Sequence, residues 1–418
     1  MSGESLELTL EGMAYGGDAF GREPGGRMVF VPYAAPGERV RVQPTEVHRT
    51  WARAALLEVF EPSPHRVTPR CRHFGQCGGC HYQHLSYPAQ LEVKADVVRS
   101  QLMRLGGFQA PPVQPTEPSP SPWNTRNHVQ FSLTPEGRLG FQAVGSHRVI
   151  PIEECHLPEL ALTELWLRLD LEPIPGLQRV AVRAGHAGET MVVLEGQGEP
   201  EIDVHLDVDT SLVWLGARGV TVLAGSDHLT IDVLGRSFRA SAGSFFQVHT
   251  ALAEALVRRV LNLLDPRPSQ VIYDLYAGVG LFSAFLAQAG AAVVAVEQSE
   301  SACRDFEINL DEFDRVTLYA APVELALPAI EPQPDAVLVD PPRSGLGPQV
   351  TQALIGREPA RVVMVSCDPA TLARDGRQLS QAGYVLHSVI PFDLFPQTYH
   401  IETVSLWEHK PGASPPGK

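Results

Sequence analysis

Cysteines stand at two places in the 418-residue sequence where their spacing and position suit chemistry. Three of them, Cys71, Cys77 and Cys80, are close together, and Cys155 is a candidate fourth ligand. Four thiolates hold either a zinc ion or a [4Fe-4S] cluster. Zinc sites usually pair two C-x-x-C knuckles and this sequence has only one, so the spacing favours iron-sulfur and leaves zinc as the alternative. Histidines that could also bind zinc are nearby: His73, His81 and His84.

Cys367 follows an apolar stretch, residues 362–365, that is typical of a buried strand. In open α/β folds, substrates bind at the carboxyl ends of such strands, whereas a structural cysteine usually lies within the strand. A helix is predicted to begin after Pro369, and its positive amino end would favour a thiolate. Cys367 is therefore a candidate nucleophile.

Two acidic residues are placed to assist a nucleophile at the same sheet edge. Asp340 follows the apolar strand 336–339, and the prolines after it fix an extended backbone that holds Asp340 over the strand end. Glu402 opens the last apolar strand and could face the same crevice as Cys367. Carboxylates there can accept hydrogen bonds from a planar substrate or act as a general base.

A glycine-rich turn, residues 276–280, joins a predicted buried strand at 271–275 to a helix beginning near Leu281. The G-x-G spacing that includes Gly278 continues to Ser283 instead of a third glycine, so the dinucleotide fingerprint is incomplete. Glu297 ends the next strand, where an acidic residue accepts hydrogen bonds from ribose hydroxyls. An adenosine-containing ligand follows, either a nicotinamide dinucleotide or S-adenosylmethionine.

The elements that must position these residues divide the chain into three units. Alternating apolar residues in 1–60, broken by Gly and Pro pairs, predict a small antiparallel barrel. Short alternating runs in 125–232 predict a second β-rich unit, and alternating strands and helices after 235 predict a doubly wound parallel sheet. Residues 91–105 have helical spacing. The Pro-rich stretch 107–124 is predicted to be a loop or linker where the chain crosses between units.

The formal net charge of -15 argues against a protein that coats nucleic acid along its phosphates. An RNA-binding surface would be local, and basic residues exceed acidic ones only in stretches such as 61–110 and 121–150. The amino terminus lacks the features of a secretory signal, and the apolar stretch 271–296 is interrupted by polar residues and glycines. The cysteine usage fits a reducing compartment, so a cytoplasmic protein without a membrane span is predicted.

Taken together, the motifs resemble the TrmA and RumA type RNA uridine-5-methyltransferases over almost the whole chain. The cysteine run with Cys155 is similar to that family's [4Fe-4S] ligand set, and the opening barrel to its TRAM domain. The segment ending in Gln247 and the motif containing Tyr276 and Gly278 are similar to its S-adenosylmethionine site, with Glu297 and Asp340 at the remaining positions. Where many members carry an asparagine, this chain has Val279 and Leu281, so one cofactor contact is expected to be absent or moved.

The resemblance implies that Cys367 is the nucleophile and Glu402 the proton acceptor. Carbon 5 of uracil is a poor nucleophile toward a sulfonium methyl group. A thiolate that adds to C6 makes C5 enolate-like, so that C5 accepts the methyl group. A base must then remove the C5 proton before the cysteine leaves.

The resemblance also implies the substrate and the domain order. The barrel and cluster are typical of the ribosomal RNA branch, so the expected product is 5-methyluridine in large-subunit ribosomal RNA. Transfer RNA, or methylation of an exocyclic amine, is the alternative. RNA is the expected partner, with no membrane and no obligate protein partner. The expected domains are an RNA-binding barrel (1–60), a central β-rich iron-sulfur domain (61–234) whose helix 88–106 packs on the catalytic domain, a Rossmann-like class I methyltransferase domain (235–410) and a disordered tail (411–418).

Overall fold

A computed structural model of the protein describes residues 4–171, 174–198 and 208–410. These residues form a closed barrel, a central seven-stranded sheet, a two-stranded ribbon and a second seven-stranded sheet. The predicted disordered tail, 411–418, lies outside the described residues. No helix in the described part of the chain is both long and apolar enough to cross a membrane.

The amino-terminal barrel closes in the strand order β1-β2-β3-β5-β4. Its strands are β1 (Leu6–Met13), β2 (Ala19–Arg22), β3 (Met28–Val31), β4 (Arg39–Val47) and β5 (Trp51–Glu61). Alternate residues such as Leu8, Leu10 and Val40 point inward and are buried, as the period of two requires. The predicted barrel is confirmed, but it is not wholly antiparallel, because β3 and β5 run parallel.

The cysteine segment leads from the barrel into the first helix. Helix α1 (Tyr87–Gln101) has a proline in its first turn, where the missing N–H is not needed. A short π-helical turn, Leu102–Gly106, continues it and ends at Gly107, whose φ of 78° is left-handed. Helix α1 and the π-helical turn both contact helix α8 (Pro369–Gln381) of the carboxyl-terminal domain.

The Pro-rich stretch 107–124 forms neither a helix nor a strand, in keeping with the predicted loop or linker, but two of its residues pair with the neighbouring sheet. Val113 pairs with Val389, and Glu117 pairs with Phe392, both in parallel. The backbone N–H of Gln114 donates to the carbonyl of Val389 at 2.9 Å, and that of Glu117 donates to Pro391 at 2.7 Å. The stretch therefore lies along the outer strand of the catalytic sheet. Its prolines allow an extended backbone that pairs on one side only.

The central sheet has the order β12-β11-β10-β9-β6-β7-β8. Its strands are β6 (His128–Leu133), β7 (Leu139–Gln142), β8 (Val149–Pro151), β9 (Leu177–Ala184), β10 (Thr190–Gly196), β11 (Ser211–Gly216) and β12 (Gly219–Ala224). Helix α2 (Leu160–Arg168) covers one face and packs Leu162 and Trp166 against Phe131 and Val180. The sheet forms the scaffold beside the cysteine segment.

The catalytic domain begins with a ribbon, β13 (His228–Val233) and β14 (Arg236–Ser241), and helix α3 (Thr250–Leu264). Its sheet has the order β17-β16-β15-β18-β19-β21-β20. The strands are β15 (Val271–Leu275), β16 (Ala292–Glu297), β17 (Val316–Ala320), β18 (Ala336–Val339), β19 (Arg361–Ser366), β20 (Tyr384–Phe392) and β21 (Glu402–His409). The helices between them are α4 (Leu281–Gln288), α5 (Glu300–Asn309), α6 (Val323–Ala326), α7 (Gly347–Gly356) and α8 (Pro369–Gln381).

Strand order reverses at β15, which has β16 on one side and β18 on the other, and a ligand crevice is expected at such a switch point. The Rossmann-like fold is therefore confirmed. The prediction of an all-parallel sheet is wrong for its end, because β21 runs antiparallel to both β19 and β20.

Candidate active site

The turn after β15 adopts a backbone that brings it close to the neighbouring strand. Tyr276 has φ 66°, Gly278 φ 56° and Gly280 φ 90°, all in the left-handed region. A Cβ on Gly280 would lie 2.3 Å from a side-chain atom of Leu310, so this position also requires glycine for space. The backbone N–H of Tyr276 donates to the carbonyl of Val296 at 2.9 Å, which fixes the turn beside the end of β16.

Glu297 is held by the backbone at this point. Its Oε2 accepts from the N–H of Gly278 at 2.9 Å. Its Oε1 accepts from the N–H groups of Gln298 at 2.8 Å and Ser299 at 2.7 Å. The carboxylate is thus oriented before any ligand arrives, and Oε2, which accepts only one of the three N–H groups, retains a lone pair for a hydroxyl group.

A cavity of about 340 Å³ opens beside this carboxylate. Tyr276 and Glu297 line it together with Ala321 and Val323 after β17, Pro342, and residues 344–350 of the following loop and the first turn of α7. Mixed polar and apolar walls of this size suit a nucleoside. Gln247, Gly278 and Asp340 are not among the described residues that line it, although Gly278 reaches it through Glu297. Gln247 is buried, and its backbone carbonyl accepts from Asn127 Nδ2 at 3.1 Å.

The register of the last strands brings Cys367 and Glu402 together. Ser366, the last residue of β19, pairs with Thr403, and the Thr403 hydroxyl donates to the Ser366 carbonyl at 3.0 Å. Continued by one residue beyond β19, this register places Cys367 opposite Glu402, and the charge of Glu402 is among the causes that raise the pKa of Cys367. Directly opposed residues in such a pair have neighbouring side chains on the same face of the sheet. The nucleophile and the acid predicted from the sequence therefore meet at one sheet edge.

The electrostatic surroundings of Glu402 and Asp340 favour their neutral forms. Burial, and then the nearby charge of Asp340, raise the pKa of Glu402 well above its usual range, against the opposing effect of Arg343. Glu402 is only 5% exposed, and its Oε1 has no partner among the described residues. Burial and the charge of Asp274 raise the pKa of Asp340 to about 7. Burial therefore favours the neutral form of both carboxyl groups.

The surroundings of Cys367 favour its thiol form and not the thiolate that the sequence predicted. Burial, followed by the charges of Glu402 and Asp340, raises the pKa of its thiol to about 12, against an opposing effect of Arg343. The helix end that was expected to lower this pKa is already occupied, because Asp368 Oδ1 accepts from the N–H groups of Ala370 and Thr371 at 2.8 and 3.0 Å. The resting cysteine is a thiol that must lose its proton before it attacks.

The four predicted ligand cysteines line a second cavity, of about 250 Å³. Close packing there depends on glycine, since a Cβ on Gly78 would lie 2.8 Å from the carbonyl of Gln142. Burial raises the pKa of Cys80 to about 12 and of Cys155 to about 11. In this conformation no three His, Cys, Asp or Glu side chains of the described ranges are grouped closely enough to hold a metal ion.

A buried polar network, not anticipated from the sequence, connects the cysteine segment to the loop before Glu402. Lys94 of α1 forms a fully buried ion pair with Asp393, and its Nζ also donates to the carbonyls of Phe395 and His400. Gln397 accepts from the N–H groups of His81 and Tyr82 through its carbonyl. A lone lysine in an amphipathic helix gives no sequence signal of such a role, because its partners are about 300 residues away.

Exposed Phe245 is a second residue that the sequence analysis missed. It is 66% exposed and stands two residues before Gln247. The adjacent Ser244 is anchored to Asp305 of α5 by a 2.6 Å hydrogen bond, next to the end of β16. An aromatic side chain left exposed on an anchored segment can stack on a nucleobase, and its signal in the sequence was the apolar pair in Ser244-Phe-Phe-Gln247.

Comparisons with known proteins agree on one family. Residues 1–57 match the TRAM domain and residues 329–410 match tRNA (Uracil-5-)-methyltransferase, the segment that contains Asp340, Cys367 and Glu402. A Gloeobacter violaceus protein described as an uncharacterized RNA methyltransferase is 34% identical, over 98% of this chain and 97% of its own length. A Streptomyces avermitilis protein with the same description is 34% identical over 97% and 98%.

A solved structure also matches along the full length. It is the Pyrococcus abyssi tRNA (uracil-54, C5)-methyltransferase in complex with S-adenosyl-L-homocysteine. The TM-score is 0.72 and the sequence identity 26%, covering 97% of this chain and 100% of that one. The likeness thus includes the barrel and the central sheet as well as the catalytic domain.

Proposed function

Because the chain belongs to the family of S-adenosylmethionine-dependent RNA uracil-5-methyltransferases, we propose that it methylates C5 of a uridine through a covalent bond between Cys367 and C6. The observation that carries this proposal is the register of β19 and β21, in which Ser366 pairs with Thr403, together with the effect of the nearby Glu402 charge on the pKa of Cys367. A nucleophile and a base on one face of a rigid sheet are what an addition, methylation and elimination sequence requires.

The steps balance as follows. The Cys367 thiol first loses its proton to solvent, the resulting thiolate forms a bond to C6, and the electrons of the C5–C6 double bond move toward O4. The resulting enolate attacks the sulfonium methyl group through C5, and S-adenosylhomocysteine leaves. Glu402 takes the C5 proton, the double bond re-forms, and the cysteine departs as a thiolate. The proton acceptor is the ionised form of Glu402, so Glu402 must first lose its own proton, and the raised pKa then makes this carboxylate a stronger base, which suits removal of a proton from carbon.

We propose that Glu297 and Tyr276 hold the adenosine part of S-adenosylmethionine in the 340 Å³ cavity, and that Gly278, Gln247 and Asp340 contribute to the same cofactor site. Glu297 supports this assignment, because it is fixed by three backbone N–H groups and can accept from ribose hydroxyls. The Gln247 and Asp340 assignments rest on the sequence resemblance.

The Glu297→Gln variant is expected to bind S-adenosylhomocysteine at least about tenfold more weakly, since a hydrogen bond to a charged group contributes roughly 1.5 to 3 kcal/mol. Isothermal titration calorimetry measures this dissociation constant. The matched control is Glu300→Gln, which removes an exposed carboxylate of α5 that pairs with Arg304. Equal affinities of Glu297→Gln and wild type would contradict the cofactor role.

We propose that the second cavity holds a [4Fe-4S] cluster on Cys71, Cys77, Cys80 and Cys155. Four thiols line the cavity, and its volume of about 250 Å³ far exceeds the roughly 30 Å³ of a single water molecule, so a multi-atom group fits better than one zinc ion. Arg126 lines the same cavity and would offset the negative charge of a thiolate-bound cluster.

Anaerobically purified protein is expected to be brown and to contain iron and acid-labile sulfide. Cys80→Ser and Cys155→Ser should each lose most of the iron, because each removes one of the proposed thiolate ligands. Cys303→Ser is the control, since Cys303 lies on α5 of the catalytic domain, and its iron content should equal that of wild type. Wild-type protein that carries zinc without sulfide would establish the alternative metal.

The RNA substrate has two candidates. We propose large-subunit ribosomal RNA, held by the amino-terminal domain 1–60 and the central domain 61–234, with 235–410 carrying the chemistry; this proposal rests on the resemblance in sequence. Transfer RNA is the second candidate, supported by the full-length match to a tRNA methyltransferase. Because that match includes the barrel, the presence of a barrel does not distinguish enzymes that act on ribosomal RNA from those that act on transfer RNA. We also propose a cytoplasmic location, since none of the six cysteines forms a disulfide in the described structure.

Mapping of 5-methyluridine in RNA from cells with and without the protein tests reaction and substrate together. Loss of one 5-methyluridine from large-subunit ribosomal RNA is the result expected from the first candidate, and loss from transfer RNA would replace it with the second. Loss of a methylated adenine or guanine instead would overturn the uracil chemistry.

A further inference from the structure

The turn between β1 and β2 of the barrel reaches the catalytic domain. The Tyr15 hydroxyl donates to Asp368 Oδ2 at 2.8 Å, although the two residues are 353 positions apart. Asp368 directly follows Cys367. The amino-terminal barrel therefore contacts the loop that carries the proposed nucleophile.

The hydrogen bond from Tyr15 completes the fixation of this loop. Asp368 Oδ1 already accepts from the N–H groups of Ala370 and Thr371 at the start of α8. With Tyr15 on Oδ2, both carboxylate oxygens have protein partners, one from the same helix and one from another domain. The carboxylate then has a defined orientation, and so does the short backbone segment between β19 and α8.

The ring of Tyr15 meets the second catalytic loop. It packs edge-on against Tyr399, with ring centroids 5.9 Å apart and planes at 88°. The Tyr399 ring in turn lies 4.4 Å from that of His400, two residues before Glu402. The backbone of the turn is equally close, since a Cβ on Gly17 (φ 96°) would lie 3.3 Å from a Tyr399 side-chain atom.

We propose that Tyr15 is a positioning residue that sets the distance between Cys367 and Glu402 by holding both of their loops, so that the barrel forms part of the catalytic unit. The inference rests on the proposed function, in which these two residues act in sequence on one base. The nucleophile loop is held through the hydroxyl and the base loop through the ring. Removal of the hydroxyl alone therefore releases one loop and leaves the other in place.

The test is Tyr15→Phe, which retains the ring against Tyr399 and removes only the donor to Asp368. The expected result is a fall in kcat of about tenfold or more, which corresponds to the loss of one hydrogen bond to a charged acceptor. The KM values for RNA and S-adenosylmethionine should stay near those of wild type, because the contacts of Tyr15 are with Asp368 and Tyr399 and not with the residues proposed to hold the cofactor. The melting temperature, measured alongside, shows whether the variant is folded. A kcat equal to that of wild type, or a loss expressed only in KM, would overturn the proposal.

A control variant and a double variant test whether the loss of activity comes from the hydrogen bond between Tyr15 and Asp368. Tyr33→Phe removes a barrel hydroxyl for which the described residues provide no hydrogen-bond partner, and its kcat should match wild type. Tyr15→Phe combined with Asp368→Asn should lose less activity than the product of the two single losses, because both changes break one hydrogen bond. Multiplicative losses would contradict the proposed link.

Failure of the proposed reaction and failure of the proposed role of Tyr15 give different results in the covalent-complex assay. Wild-type protein that forms no covalent complex with 5-fluorouridine RNA would remove the basis of the reaction itself. Wild type that forms the complex, with Tyr15→Phe forming it at the same rate, would remove only the role of Tyr15.

Discussion

Cys367→Ala is expected to form no covalent complex with 5-fluorouridine RNA and to lose methyl transfer by at least about 10⁴-fold, the scale on which removal of a nucleophile acts. Without the thiolate, C5 keeps its conjugation and is too weak a nucleophile for the sulfonium methyl group. Denaturing gel electrophoresis of the RNA complex and incorporation of labelled methyl groups measure the two effects. S-adenosylhomocysteine binding should be retained, which shows that the variant is folded.

The pH dependence of complex formation by wild type is part of the same expectation. With its pKa raised to about 12, Cys367 is protonated throughout the neutral range, so the thiolate fraction of the free enzyme rises about tenfold for each pH unit below that value. The groups that face the thiol and contribute charge are Glu402, Asp340, Asp368 and Arg343. The second-order rate of thiol alkylation at Cys367, followed by mass spectrometry, should increase without a plateau up to about pH 9.

Methyl transfer by Cys367→Ala at the wild-type rate would show that the covalent mechanism is wrong.

Glu402→Gln is expected to accumulate a covalent complex with unmodified RNA that carries the transferred methyl group. The glutamine side chain nearly matches the carboxylate in shape but cannot take the C5 proton, so addition and methylation proceed while elimination stops. Turnover should fall by about 10² to 10⁴-fold, the usual contribution of a general base. Mass spectrometry of the complex measures its methyl content.

Glu408→Gln provides the control for this variant, because Glu408 lies on the same strand and pairs with Arg361 and His387 at the other end. It should turn over normally and accumulate no complex. A complex of Glu402→Gln that lacks the methyl group would place Glu402 before methyl transfer instead of after it, and unchanged turnover would exclude it as the base.

The sequence predicted the β-barrel and the Rossmann-like sheet because their strands have clear apolar patterns and their turns have clear breakers. It could not predict why Glu402 faces Cys367. Glu402 opens its strand whereas Cys367 follows the end of its own, so in an all-parallel sheet the two would lie at opposite edges. Only the reversed direction of β21 brings them to one edge, and strand direction depends on long-range pairing that a local pattern does not encode.

The charge state of Cys367 is a second property that the sequence alone does not predict. The helix after Pro369 was predicted and is present, but its free N–H groups are occupied by Asp368, and two buried carboxyl groups lie nearby. A local motif indicates where a helix dipole points, whereas the pKa depends on the sum of burial and charges from distant segments. Tyr15 and Lys94 were missed for the same reason, since their partners are more than 290 positions away along the chain.

The pairing of residues 107–124 with β20 has a consequence for how the protein behaves in a crowded solution. β20 is the last strand of its sheet, and a bare outer strand offers unpaired N–H and C=O groups to any other extended chain. Here residues 112–117 pair with the end of that strand, Val389 to Phe392, and the prolines of the segment lack the N–H groups that a further strand would need. The segment thus reduces pairing of β20 with other chains. A protein in which it was replaced by a flexible Gly-Ser sequence would be prone to associate through β20.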